Sequence, residues 1–225
     1  YAKKFASKNG TNHHEIIMGG NFADILPDIV KYFDEPFADS SMVPLYFVSK
    51  LASEHVKVVL VGDGADELFG GYDTYIANKY LMFYNKLPRP LRSIIDGTVN
   101  NLPISNSKIS IEHKLKRFVK FAGQSDIFAS HALWRSIFDK STLKALLHPD
   151  ILLELNNFDV SCQYKALAKP NFKHSVNDYC YLDFKNYLSA DMLVKVDRMT
   201  MMNSLEARLP FLDQPFVEYS FRVPS

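Results

Sequence analysis

Apolar residues at 22, 25, 26, 29, 30 and 33 recur at the spacing of one helix face and predict a helix over Phe22–Phe33. Before it, Tyr1–Lys8 predicts a helix end stopped by Asn9-Gly10. Thr11–Met18 then predicts a strand ended by Gly19-Gly20. Pro36 breaks the helical pattern. Asp39-Ser40-Ser41 supplies capping side chains for a helix over Val43–Glu54, with Pro44 in its first turn. The β-branched run Val56–Val61 predicts a buried strand, and a further helix starts at Glu67. Strand, helix, helix, strand and a glycine turn into a helix imply an α/β fold with a parallel sheet and crossover helices.

From about Leu81 to Lys185 strand signals fade. Leu87–Pro90 and Asn100–Ser110 are turn-rich, and Glu112–Phe121, Ser130–Phe138 and Ser141–Leu147 predict helices. Ser189–Ser204 predicts the last long helix, with Ser189 available as its cap. Pro210 ends it, and Asp213 can cap a short helix over Pro215–Phe221. The organisation that follows is a partial α/β nucleotide-binding region at 1–80, a helical lobe at 81–185, and a returning helix and loop at 186–225 that complete the active site. Starting at Tyr1 inside a helical pattern, the chain reads as a piece of a longer protein.

The 225 residues are 47% hydrophobic and 23% charged, ordinary for a globular chain. Lys and Arg total 26 against 25 Asp and Glu, which gives no electrostatic reason to expect nucleic acid or an anionic membrane. No run is long enough to cross a bilayer, and no signal peptide is visible. Cys162 and Cys180 lack metal-ligand spacing and read as packed thiols in a reducing, cytoplasmic setting.

The sharpest chemical signal is Gly62-Asp63-Gly64-Ala65-Asp66-Glu67, directly after the apolar run. Glycines allow close approach of a ligand to the backbone, and a helix start offers N–H groups to an anion. Asp63, Asp66 and Glu67 crowd negative charge that a cation or a proton must share. One carboxylate can hold Mg²⁺ beside phosphate oxygens while another handles a proton. The alternative is that Asp66 and Glu67 only satisfy the helix dipole.

Asp191, Lys195 and Arg198 share a helix face, suited either to a pyrophosphate or to an Asp191–Lys195 surface pair. Glu206, Arg208 and Asp213 read as a structural ion-pair group. His13 and Glu15 share a strand face but lack a third metal ligand, and Met199, Met201 and Met202 read as core.

VVLVGDGADELFGGY, with DEPFADSSMVPLY (34–46) and LVKVDRMTMMNSLEARLPFLD (193–213), closely resembles the synthetase domain of glutamine-hydrolysing asparagine synthetases. The HHE segment near the start fits too, and the resemblance spans nearly the whole chain. It implies an adenine-nucleotide α-hydrolase-like (ATP pyrophosphatase) fold, ATP and Mg²⁺ as cofactors, and aspartate as substrate. It further implies β-aspartyl-AMP as intermediate, ammonia from a glutaminase domain, and room for a homo-oligomer. Carried over by position, Val61, Gly62 and Gly64 line the nucleotide site with Glu67. Asp63 stands at a catalytic carboxylate, Asp66 at a Mg²⁺–pyrophosphate ligand, and Lys195 and Arg198 in the region that supplies pyrophosphate with a cation.

The family's Ser-Gly-Gly-x-Asp-Ser loop and its N-terminal glutaminase nucleophile are absent from these residues, and Val61 replaces a common Ser. The 225 residues alone are therefore expected to bind ATP poorly and to be inactive. An amidotransferase acting on a sugar acid or a β-lactam precursor, and a non-catalytic truncated module, stay open as rivals.

Overall fold

The computed structural model describes residues 1–103, 110–122, 126–138, 140–155, 161–168 and 172–224. In chain order the helices α1 (Ala2–Asn9), α2 (Leu26–Val30) and α3 (Met42–Ser53) precede strand β1 (Val58–Leu60). Then come α4 (Ala65–Phe69), α5 (Asp73–Lys86), α6 (Arg89–Asn100), α7 (Ile111–Ala122), α8 (Ile127–Leu133) and α9 (Lys140–Leu146). They are followed by α10 (Pro149–Leu155), α11 (Cys162–Leu167), α12 (Val176–Lys185), α13 (Leu193–Met201), β2 (Glu206–Arg208) and α14 (Gln214–Ser220). The protein is thus mixed α/β, mostly helical with a small parallel sheet. None of the described helices is long and apolar enough to cross a membrane.

The chain divides into two units, 1–65 with 187–218 and 66–186 with 219–225. In the first, β1 and β2 pair in parallel with Val58 opposite Glu206 and Leu60 opposite Arg208. A parallel pair needs a long crossover, and everything from α4 to α13 lies between the two strands in sequence. The unit's core joins Ile29, Met42, Val43, Tyr46 and Met199, with Phe33 and Phe37 packed against it. In the second unit, Leu81, Tyr84, Phe121, Leu133 and Trp134 form one core cluster. Tyr75, Tyr164, Tyr179, Cys180 and Leu182 form another.

Several elements follow from local chemistry. Gly10 adopts the left-handed conformation, φ 63°, that closes α1. Ser175 and Asp178 form a reciprocal capping box on α12, and the Asp126 side chain caps α8 through the Phe128 N–H.

Other expectations are corrected. Thr11–Met18 is exposed and pairs with no strand among the described residues. The Phe22–Phe33 pattern becomes a 3-10 turn (Gly20–Ile25) and then α2, because Pro27 cannot donate to the preceding turn and suits only a fresh helix start. The strand expected buried over Val56–Val61 is three residues long, and Val58 and Leu60 are 48% and 75% exposed. Its sheet partner among the described residues is β2. The last long helix begins with a π-helical turn, Leu188–Met192, so Ser189 lies inside it rather than at its cap. Glu206–Arg208, expected as a loop, is β2, with the anticipated Arg208–Glu206 ion pair intact. Cys162 is exposed, not packed, and so is Met201. Residues 104–109 of the turn-rich Asn100–Ser110 stretch lie outside the described residues.

Candidate active site

In the first unit, β1 runs directly into the Gly62–Gly64 turn. The Val61 N–H extends the sheet by donating to the Arg208 carbonyl at 2.9 Å. Gly64 sits at φ +92°, and a Cβ there would stand 2.4 Å from Leu212 Cδ2. Only glycine fits this turn, because a side chain meets both the wrong conformational region and the packed leucine. Gly62 is exposed, and Asp63 beside it is half-buried. Asp63 makes no hydrogen bond or ion pair among the described residues.

Lys195 and Arg198 also belong to this unit, on α13. Lys195 is 5% exposed. Its Nζ donates to Asp39 Oδ2 at 2.6 Å and to Ser41 Oγ at 2.7 Å, and lies 3.4 Å from Met192 Sδ. Ser41 Oγ in turn donates to Asp39 Oδ2 at 2.8 Å, and the Ser41 N–H donates to Oδ1 at 2.9 Å. Ser41 therefore occupies the N-cap of α3 without capping it, since its hydroxyl is committed to Asp39 and Lys195. Burial pushes the Asp39 carboxyl up, but the Lys195 and Ser41 hydrogen bonds outweigh it and hold the group below the ordinary carboxylate range. The Asp191–Lys195 surface pair does not form, because Lys195 is spent on Asp39. Arg198 pairs with Asp34 at 2.5 Å in an exposed ion pair, an interaction of small value. Neither cation contacts Asp63.

Asp66 and Glu67 lie in the second unit and face different surroundings. Asp66 is exposed, and its carboxylate has no hydrogen-bond or ion-pair partner among the described residues. Its carboxylate lies over Gly71, where a Cβ would come 2.0 Å from Oδ1. Glu67 is 1% exposed and accepts from the Tyr72 hydroxyl at 2.7 Å. Burial raises its carboxyl above the ordinary value, and the Tyr72 bond only partly offsets this. Glu67, expected at the nucleotide, is thus turned inward.

Residues that the sequence did not single out surround it. The Arg135 guanidinium lies 4.7 Å from the centre of the Tyr72 ring, a cation–π distance. It forks onto Asp183, through Nε at 3.2 Å and through Nη2. Asp183 also accepts from His131 Nε2 at 3.0 Å, and His131 Nδ1 is 2.8 Å from Asn78 Nδ2. Burial acts to raise the Asp183 carboxyl, yet the His131 hydrogen bond and the charges of His131 and Arg135 hold it low. No local pattern marks these residues. Asp183 and Arg135 are 48 positions apart.

Mg²⁺ needs one or two carboxylates, with phosphate and water supplying its other oxygens. No cluster of three or more His, Cys, Asp or Glu among the described residues could cage a metal alone. The open Asp66 carboxylate fits the smaller requirement.

The profile of the family described as asparagine synthase matches residues 1–225. The chain is 33% identical to "Asparagine synthetase [glutamine-hydrolyzing] 1" of Bacillus subtilis (strain 168), over 99% of this chain and 34% of that protein. It is 35% identical to the "Putative asparagine synthetase [glutamine-hydrolyzing]" of Mycobacterium tuberculosis (strain ATCC 25618 / H37Rv), over 94% of this chain and 31% of that one. It is also similar to "Amidase chry2" of Gibberella zeae, at 21% identity over 88% of this chain and 30% of that protein. The chain spans about a third of the length of the relatives it matches. No solved structure matches it.

Proposed function

The chain belongs to the asparagine synthase family, and from that premise we propose that it forms the ATP-dependent synthetase part of an enzyme that amidates aspartate. The proposed fold is an adenine-nucleotide α-hydrolase-like sheet, of which β1 and β2 are part. In the first step a β-carboxylate oxygen of aspartate attacks the α-phosphorus of ATP and expels pyrophosphate, leaving β-aspartyl-AMP. Ammonia, drawn from glutamine by another part of the full-length protein, then attacks the acyl carbon. AMP departs with the electrons of the broken C–O bond, and the new amide nitrogen gives up a proton.

The residues divide this work. Asp63 accepts the ammonia proton, because it is half-buried and no described residue pairs with its carboxylate. Val61, Gly62 and Gly64 let the backbone approach the nucleotide. Asp66 holds Mg²⁺, which when bound neutralises charge on the phosphate oxygens. Lys195 offers pyrophosphate the hydrogen now facing Met192 sulfur, its weakest contact, while Asp39 and Ser41 keep the amine in place. Arg198 adds a second positive charge on the same helix. A cytoplasmic setting belongs to the same proposal and is supported by the free thiols of Cys162 and Cys180.

One observation carries this reading: the acidic elbow after β1 keeps the Asp63 and Asp66 carboxylates without partners among the described residues. It is tested by aspartate-dependent ATP–pyrophosphate exchange in the full-length protein. Asp66→Asn is expected to lower that exchange about tenfold or more. Asp63→Asn is expected to spare exchange but to slow amide formation by about 10²-fold or more, the usual scale of general-base catalysis. No aspartate-dependent exchange in the parent, or full exchange in Asp66→Asn, would refute the assignment.

A further inference from the structure

We infer that Arg135 is a positioning residue that anchors α4, by way of Tyr72 and Glu67, so that Asp66 is held facing outward. The inference rests on the proposed role of Asp66 as the Mg²⁺ ligand. Five residues make a helix too short to persist by its own hydrogen bonds. Glycines with positive φ flank α4, Gly64 at 92° and Gly70 at 69°, and neither stiffens its ends. What holds the α4 residues of the second unit is side-chain burial, and only Glu67 and Leu68 are buried there. Leu68 supplies a non-directional contact. Glu67 supplies a directional one, through the 2.7 Å bond from Tyr72.

Tyr72 is itself held by the guanidinium against its ring, and the guanidinium is locked by Asp183. Asp183, His131 and Asn78 are each fully buried. A buried ionic assembly of this kind adds little net stability over an apolar core of equal volume. What it provides is a fixed geometry, because a planar guanidinium paired with a carboxylate has one orientation. Asp66 is the next residue to Glu67, so the rotation of α4 that buries Glu67 sets the direction of Asp66. Its carboxylate then lies over Gly71, which has no side chain to occupy that space.

Arg135→Lys keeps the positive charge but loses the fork and the flat contact with Tyr72. Amide hydrogen exchange of the full-length, nucleotide-free protein reads the anchor directly. The Gly71 N–H, bonded to the Asp66 carbonyl at 3.0 Å, should exchange about tenfold faster in Arg135→Lys, while the Leu81 amide in the core of α5 keeps its parent rate. In ATP–pyrophosphate exchange the same variant should need about tenfold more Mg²⁺ for half-saturation and reach a rate within about threefold of the parent at saturation. Tyr72→Phe deletes only the hydroxyl on Glu67 and should produce the same two changes; it decides the matter if Arg135→Lys does not fold. Parent-like Gly71 exchange in both variants overturns the inference. Because that measurement needs no nucleotide, it stands even if the parent shows no ATP–pyrophosphate exchange, a result that would instead remove the proposed function.

Discussion

Replacing Gly64 with alanine puts a methyl group where the structure has no space and the backbone no tolerance. The φ of +92° lies outside the regions open to L-residues, at a cost of about 1–2 kcal/mol. The new Cβ would stand 2.4 Å from Leu212 Cδ2, well inside contact distance, and overpacking of this kind costs about 1–3 kcal/mol. The sum is about 2–5 kcal/mol, which in urea lowers the unfolding midpoint by roughly 1–2 M at the slopes usual for such chains. The two contributions separate in a double-mutant cycle. Leu212→Ala in the Gly64→Ala background removes the collision but not the backbone strain. The cycle should therefore show a favourable coupling of about 1–3 kcal/mol, with about 1–2 kcal/mol of the Gly64→Ala loss left unrecovered. A Gly64→Ala midpoint within about 0.2 M of the parent, far below the calculated shift, would refute the reasoning. So would a cycle without coupling, because the contact would then not govern the turn.

Two further predictions concern charge. Asp39→Asn leaves the Lys195 amine buried with weaker acceptors and should destabilise by about 1–3 kcal/mol at pH 7, less than a fully buried broken pair because Asp39 is partly exposed. The folded-state Asp39 carboxyl is held below its ordinary value, so its contribution is present above about pH 4 and disappears as pH falls through the lowered value. Urea midpoints of parent and variant should therefore converge in acid, and a gap that persists there would contradict the assignment. Glu67→Gln has the opposite sign. Burial raises the folded-state carboxyl, so Glu67 opposes folding once pH rises past the ordinary value of about 4.3. The glutamine variant should be more stable than the parent at pH 7 and equal to it near pH 4, and a loss at pH 7 would count against the buried, Tyr72-bound carboxylate.

Helix content and the acidic elbow were legible because their causes are local. The stop at Gly10, the predicted Glu112–Phe121 and the predicted Ser141–Leu147 correspond to α1, α7 and α9 within a residue or two. Local signals also misled. Pro27 lies inside an apolar rhythm and splits the predicted helix. Three residues are too few for a period-two pattern to announce β2, whose existence depends on β1 arriving beside it.

Chain order alone placed three carboxylates within five residues and showed that glycines must turn the backbone there. It did not say which of them stays open. Asp66 does so because Glu67 is drawn inward by Tyr72, and Lys195 is claimed by Asp39 rather than Asp191 from 156 positions away. Those partners meet only when helices pack. A carboxylate's protonation and reach depend on which donors stand within about 3 Å of it. For residues so far apart along the chain, that distance is set by tertiary packing.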